Sequence, residues 1–150
     1  MVRIEIISLL DKKHSVALEE LLFFNPQQGR FRQSIVASVQ QYGSPEIVHR
    51  NGGLRVQLKS LPDVQTLYAL AHSSLSEKLV GAVVFTRIAS DMLEILHIVV
   101  RPEFACGGEQ AHQGLALQLI DEACRVGRQI AGVKAILLAY NRGKVILKRP

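Results

Sequence analysis

The chain has 150 residues, 48% of them hydrophobic and 21% charged, which suits one compact domain and excludes an intrinsically disordered chain. No uncharged apolar run approaches the roughly eighteen residues of a membrane span, and the opening segment lacks a signal-peptide profile because Arg3 and Glu5 break its apolar stretch. Two cysteines, Cys106 and Cys124, make neither a disulfide framework nor a four-ligand zinc site, so a reduced, cytoplasmic protein without membrane or metal is expected.

The net charge of +5 is spread along the chain except near its end, where Arg142, Lys144, Lys148 and Arg149 cluster. Such an excess favours anionic partners, phosphates included. A basic nucleic-acid-associated domain also fits the charge. Against it, aromatics are only 5%, Trp is absent and no RNA-binding aromatic motif occurs.

In chain order, Val2, Ile4 and Ile6 alternate with Arg3 and Glu5, which predicts a strand over 1–9. Asp11 is placed to cap a helix running to about residue 24, with Ala17, Leu21 and Phe24 on one face. Asn25-Pro26 stops it. Phe31, Ile35, Val39 and Tyr42 then predict a second helix after Gly29, closed by Gly43 and Ser44-Pro45. Asn51-Gly52-Gly53 is a strong turn. Strand-like runs follow at 54–58, 65–71, 79–88 and 92–101, and their close spacing predicts an antiparallel meander. The segment 92–100 is nearly all apolar, as in a central strand covered on both faces. Ala116, Leu119, Ile120, Ala123, Gly127 and Ile130 mark a helix over about 112–131. Runs at 133–140 and 144–147 are further strands. A single domain over 1–150 results, of α/β (α+β) class, with a mixed, mostly antiparallel central sheet flanked by helices.

The segment 93–141 is the most informative. A buried strand ends at Arg101-Pro102, a glycine-containing loop follows, and a helix begins near Gly114. Glycine lets backbone approach a ligand, and a helix N-terminus offers unpaired N–H groups at the positive end of its dipole, so the arrangement suits a pyrophosphate. Neither a Walker A pattern nor G-x-G-x-x-G occurs, and the glycines also read simply as loop-shaping residues.

On these residues the chain resembles the GNAT superfamily of acyl-CoA-dependent N-acetyltransferases. The element order is similar over most of the chain. The family's central strand ends in V-x-P, here Val100-Arg101-Pro102. Its [Q/R]-x-x-G-x-[G/A] loop is similar to Ala111-His112-Gln113-Gly114-Leu115-Ala116, with Ala111 in place of Gln or Arg and a longer preceding loop. The following strand ends in Asn, here Asn141. The resemblance implies a GNAT-like (acyl-CoA N-acyltransferase) fold that moves acetyl from acetyl-CoA to a primary amine. It assigns cofactor binding to Ile98, Val99 and Val100 along the strand, to His112, Gln113, Gly114, Leu115 and Ala116 in the loop, and to Asn141.

The amine must lose a proton and the departing thiolate must gain one. Glu94 is the candidate base: it sits in an apolar strand, where a carboxylate needs a task or a partner, and some GNAT members carry a glutamate six positions before the valine of V-x-P. Alternatively Glu94 faces solvent or pairs with Arg87 across a hairpin. Tyr140 is the candidate acid toward the CoA sulfur, or else a packed strand-end aromatic. His97, by alternation on the opposite side from Glu94, reads as a core histidine. A non-catalytic CoA-binding or protein-interaction module is the alternative, motivated by Ala111 and by the short segment after the last strand. A homodimer would complete the missing edge.

Overall fold

The computed structural model describes residues 2–23, 43, 45–61, 64–105, 107–138 and 143–147. The second helix predicted over 31–42, together with Cys106, Tyr140, Asn141 and the tail 148–150, lies outside the described residues, as does the side chain of His112.

The strands are β1 (Arg3–Ile7), β2 (Leu10–Asp11), β3 (Pro45–Arg50), β4 (Gly53–Leu58), β5 (Gln65–His72), β6 (Glu77–Ala89), β7 (Met92–Val100), β8 (Ala135–Leu138) and β9 (Gly143–Ile146). Two α-helices are described, α1 (Ser15–Phe23) and α2 (Leu115–Gln129). Six strands form one sheet in the order β1-β5-β6-β7-β8-β9, and β2-β4-β3 form a second. Every described pairing is antiparallel except β7 with β8, which run parallel. The chain is therefore a mixed α+β protein with a mostly antiparallel main sheet.

The expected meander is β5-β6-β7, but the run at 54–58 belongs to the second sheet. There it pairs with β3, a strand opened by Pro45, and the two join through Asn51-Gly52, both with positive φ (50° and 79°), as a tight hairpin turn demands. Asp11 does cap, accepting from the Lys13 amide at 2.8 Å, but it starts a short 3-10 turn over Lys12–His14 that leads into α1. The buried face of α1 is Leu18, Leu21 and Leu22; Ala17 is only half-buried and Phe23 is exposed. Leu21 lies on the buried face as predicted and Ala17 packs at its margin, with Leu18 and Leu22 completing the stripe, while Phe24 lies outside the described residues.

Two apolar cores cover the two faces of the main sheet. Helix α2 lays Leu115, Leu119 and Ala123 on one face, against Val83, Phe85 and Ile136. On the other, Leu18, Leu21 and Leu22 of α1 and Leu54, Val56 and Leu58 of β4 pack with Tyr68, Val84 and Leu96. Strand β7 contributes to both cores, which is why its sequence is apolar nearly throughout.

Candidate active site

Strand β7 pairs with β6 from Ala89↔Met92 to Gly81↔Val100, and with β8 from Met92↔Ala135 to Ile95↔Leu138. Ile98, Val99 and Val100 thus lie C-terminal to the described pairing with β8 and are held opposite Val83, Ala82 and Gly81 of β6. The strand exit is clamped: the Arg101 amide donates to the Val80 carbonyl and its guanidinium Nε to the Leu79 carbonyl, each at 2.7 Å.

Beyond Pro102 the chain folds into two successive tight turns that bury Phe104 and Ala105. Gly108 lies so close to the carbonyls of Pro102 and Glu103 that a Cβ there would collide with them. Lys78 holds the Glu103 carboxylate at 3.0 Å. Gly114, with φ of 59°, turns the chain into α2.

This loop bears directly on the anion-binding assignment. The Gln113 amide donates to the Gln110 carbonyl at 3.0 Å and the Gly114 amide to that of Ala111 at 3.2 Å. These two donors are engaged within the turn; of the other assigned loop residues, Leu115 and Ala116 lie in the first turn of α2, where Leu117 adds a third amide. Those three amides form the first turn of α2, which has no acceptor one turn back within the helix. No acidic side chain occupies that turn, so the positive end of the dipole is not offset locally. Gln118 braces it, its side-chain N–H donating to the Gln113 carbonyl at 2.6 Å. His112 lies in the preceding turn, Ala111–Gln113.

Glu94 stands opposite Thr86 on β6 and Leu137 on β8 and is half-buried. It does not pair with Arg87, whose guanidinium donates to the carbonyls of Ala89, Ser90 and Ala131 and so ties the β6–β7 turn to the end of α2. His97 stands opposite Val84. Val84 and Thr86 lie two residues apart on β6 and share a face, so Glu94 and His97 share one as well. The cause is a register shift: Ile95 pairs with Phe85 and His97 with the next residue back, Val84, which leaves Leu96 as the extra residue of a β-bulge. The expectation that His97 points away from Glu94 is thereby corrected. His97 is 7% exposed, and burial holds its imidazole down to about 4, so it is neutral at physiological pH.

Cys124 is buried in α2, where burial pushes its thiol up and leaves it unreactive. Among the described residues no group of three His, Cys, Asp or Glu side chains could hold a metal, and no helix is long and apolar enough to cross a membrane. Sequence reasoning missed the bulge at Leu96 and a cleft between the two sheets lined by Arg50, Arg55, Thr66 and Tyr68. The Asn51-Gly52 turn was the one sequence signal for the hairpin whose residues Arg50, Leu54 and Arg55 line this cleft. No protein-family model matches the chain, and no curated protein matches it.

Proposed function

We propose that the chain is a cytoplasmic acetyl-CoA-dependent N-acetyltransferase of GNAT-like fold, transferring acetyl to a primary amine by direct attack on the thioester. The observation that carries this reading is the parallel pair β7–β8, the only one among the described residues, joined through a loop and α2. In sheets with such crossovers, ligands bind beyond the carboxyl ends of the parallel strands. Here that end meets the first turn of α2, where Leu115, Ala116 and Leu117 offer amides to a diphosphate.

Glu94 lies six residues before Val100, about 20 Å along an extended strand, a span that suits the outstretched arm of a pantetheine thioester. In the proposed step the amine nitrogen forms a bond to the acetyl carbonyl carbon and the C–S bond breaks. Glu94, directly or through a water, takes the amine proton, and Tyr140, the candidate acid of the sequence reading, returns a proton to the departing thiolate. Holding both reactants in one groove supplies much of the rate.

The engagement of the Gln113 and Gly114 amides favours one other reading, a CoA-binding or interaction module without turnover. Thermal unfolding with acetyl-CoA tests binding. A cofactor present at a hundred times its Kd adds about 2.7 kcal/mol of stability, so a rise in Tm is expected, and no rise at millimolar acetyl-CoA would overturn both readings. Turnover of acetyl-CoA with an amine panel separates them.

A further inference from the structure

Strand β1 covers β5 only from Arg3↔His72 to Ile7↔Tyr68. The chain then leaves the main sheet at Ser8 and Leu9 and enters the second, where Leu10 pairs with Leu54. Residues 65–67 of β5 extend past the end of β1, and a cleft of about 430 Å³ opens there between the two sheets. We infer that this cleft is a binding site for a small organic carboxylate with an apolar body, independent of the acetyl-transfer reading.

The charge of the cleft is one-sided. Arg50 and Arg55 line it, both exposed, and neither makes an ion pair among the described residues. No acidic residue is among its described lining. Its floor holds two hydroxyls. Thr66 is 8% exposed, and its Oγ1, although near enough to the Tyr68 hydroxyl to influence it, makes no hydrogen bond of good geometry among the described residues. The Tyr68 O–H reaches the Leu54 carbonyl only at 3.5 Å, at the outer limit of a hydrogen bond. Burial pushes the Tyr68 phenol up, so it stays a donor. A buried hydroxyl without a partner is costly, and a ligand oxygen placed against it removes that cost. Arginine suits the ligand's carboxylate because its fork matches the two oxygens.

The mouth is apolar. Leu9 is 66% exposed, yet its side chain lies against Gly53, where a Cβ would come within 2.6 Å of the leucine Cδ1. With Leu54, Val64 and Val126 it gives the ligand's apolar part a wall while the arginines take the charge.

The test is amide NMR titration of the full chain with phenylacetate, phenylacetamide and phenyl phosphate. Phenylacetate should give saturable shifts at 50–55 and 64–68, bind at least tenfold more tightly than the neutral amide, and leave the amides of Leu115, Ala116 and Leu117 unmoved. The exposed double variant Arg50→Ala/Arg55→Ala should weaken it at least tenfold. Thr66→Val should weaken it severalfold while leaving the chain as stable as before or more so. Equal binding of phenylacetate and phenylacetamide, shifts elsewhere, or an unchanged Kd in the arginine variant would overturn the site. Tighter binding of phenyl phosphate than of phenylacetate would overturn its assignment to carboxylates.

Discussion

Glu94 and His97 present the same face of β7 although three residues separate them, because Leu96 is bulged out of the ladder with β6. The bulge places a half-buried carboxylate and a buried, neutral imidazole together on the α1 side of the sheet. Bulges recur beside active sites, where they re-aim a side chain and interrupt pairing. Glu94→Gln keeps the size of the side chain and removes its basicity. It is expected to lower turnover about 100-fold while leaving acetyl-CoA binding unchanged, as measured by steady-state kinetics alongside calorimetry.

His97 makes stability depend on pH. Its imidazole is held at about 4 in the folded chain against 6.5 unfolded, so the unfolded state binds more protons between those values. Stability is therefore complete above pH 6.5 and declines as pH falls toward 4, by about 3 kcal/mol from this group alone. Urea unfolding of wild type and His97→Gln at pH 7 and pH 4 checks it. The variant should show the shallower decline, and identical declines would refute the assignment.

Glu77 acts in the same direction at lower pH. Hydrogen bonds from Lys13 at 3.0 Å and His14 at 2.9 Å hold its carboxyl below the usual range. The contribution is present above the ordinary carboxylate pKa and is lost as pH falls through the lowered one. Glu77→Gln should be less stable than wild type at pH 7, and the gap between their urea midpoints should close as pH falls from 6 to 3.5.

Gly108→Ala should disrupt the loop before α2. Its Cβ would meet backbone carbonyls, which cannot rotate away as a side chain can, and overpacking of this kind costs about 1–3 kcal/mol. Acetyl-CoA affinity should fall with it. At Gly114 a Cβ meets open space, so Gly114→Ala should show only the cost of a left-handed conformation, about 1–2 kcal/mol.

On the opposite face, Leu119 is fully buried against the sheet, and Leu119→Ala should cost about 2–5 kcal/mol in chemical denaturation.

Much of the fold was legible where one physical signal dominated. The alternation of Val2, Ile4 and Ile6 marked β1, the Asn51-Gly52 turn marked a hairpin, and the unbroken apolar run at 92–100 marked the strand now seen at the centre of the sheet. The bulge was not legible because both faces of β7 are buried, and an all-apolar strand carries no pattern that would expose a one-residue slip. Strand β3 was missed because Glu46, His49 and Arg50 make it polar; it gains its place by pairing with β4. The glycine at Gly114 signalled a helix start, but which amides the turn itself engages depends on hydrogen bonds to Gln110 and Ala111 that residue spacing does not reveal. The cleft beside Thr66 was invisible because it arises from the crossing of Ser8 and Leu9 between two sheets.

Amide NMR spectra recorded during titration with acetyl-CoA address the cofactor site most directly. Saturable shifts are predicted at Ile98, Val99 and Val100 and at Leu115, Ala116 and Leu117, with smaller changes near Glu94. An absence of shifts at millimolar acetyl-CoA, or saturable shifts confined to other parts of the chain, would contradict the proposal that the first turn of α2 grips the diphosphate of a thioester carrier.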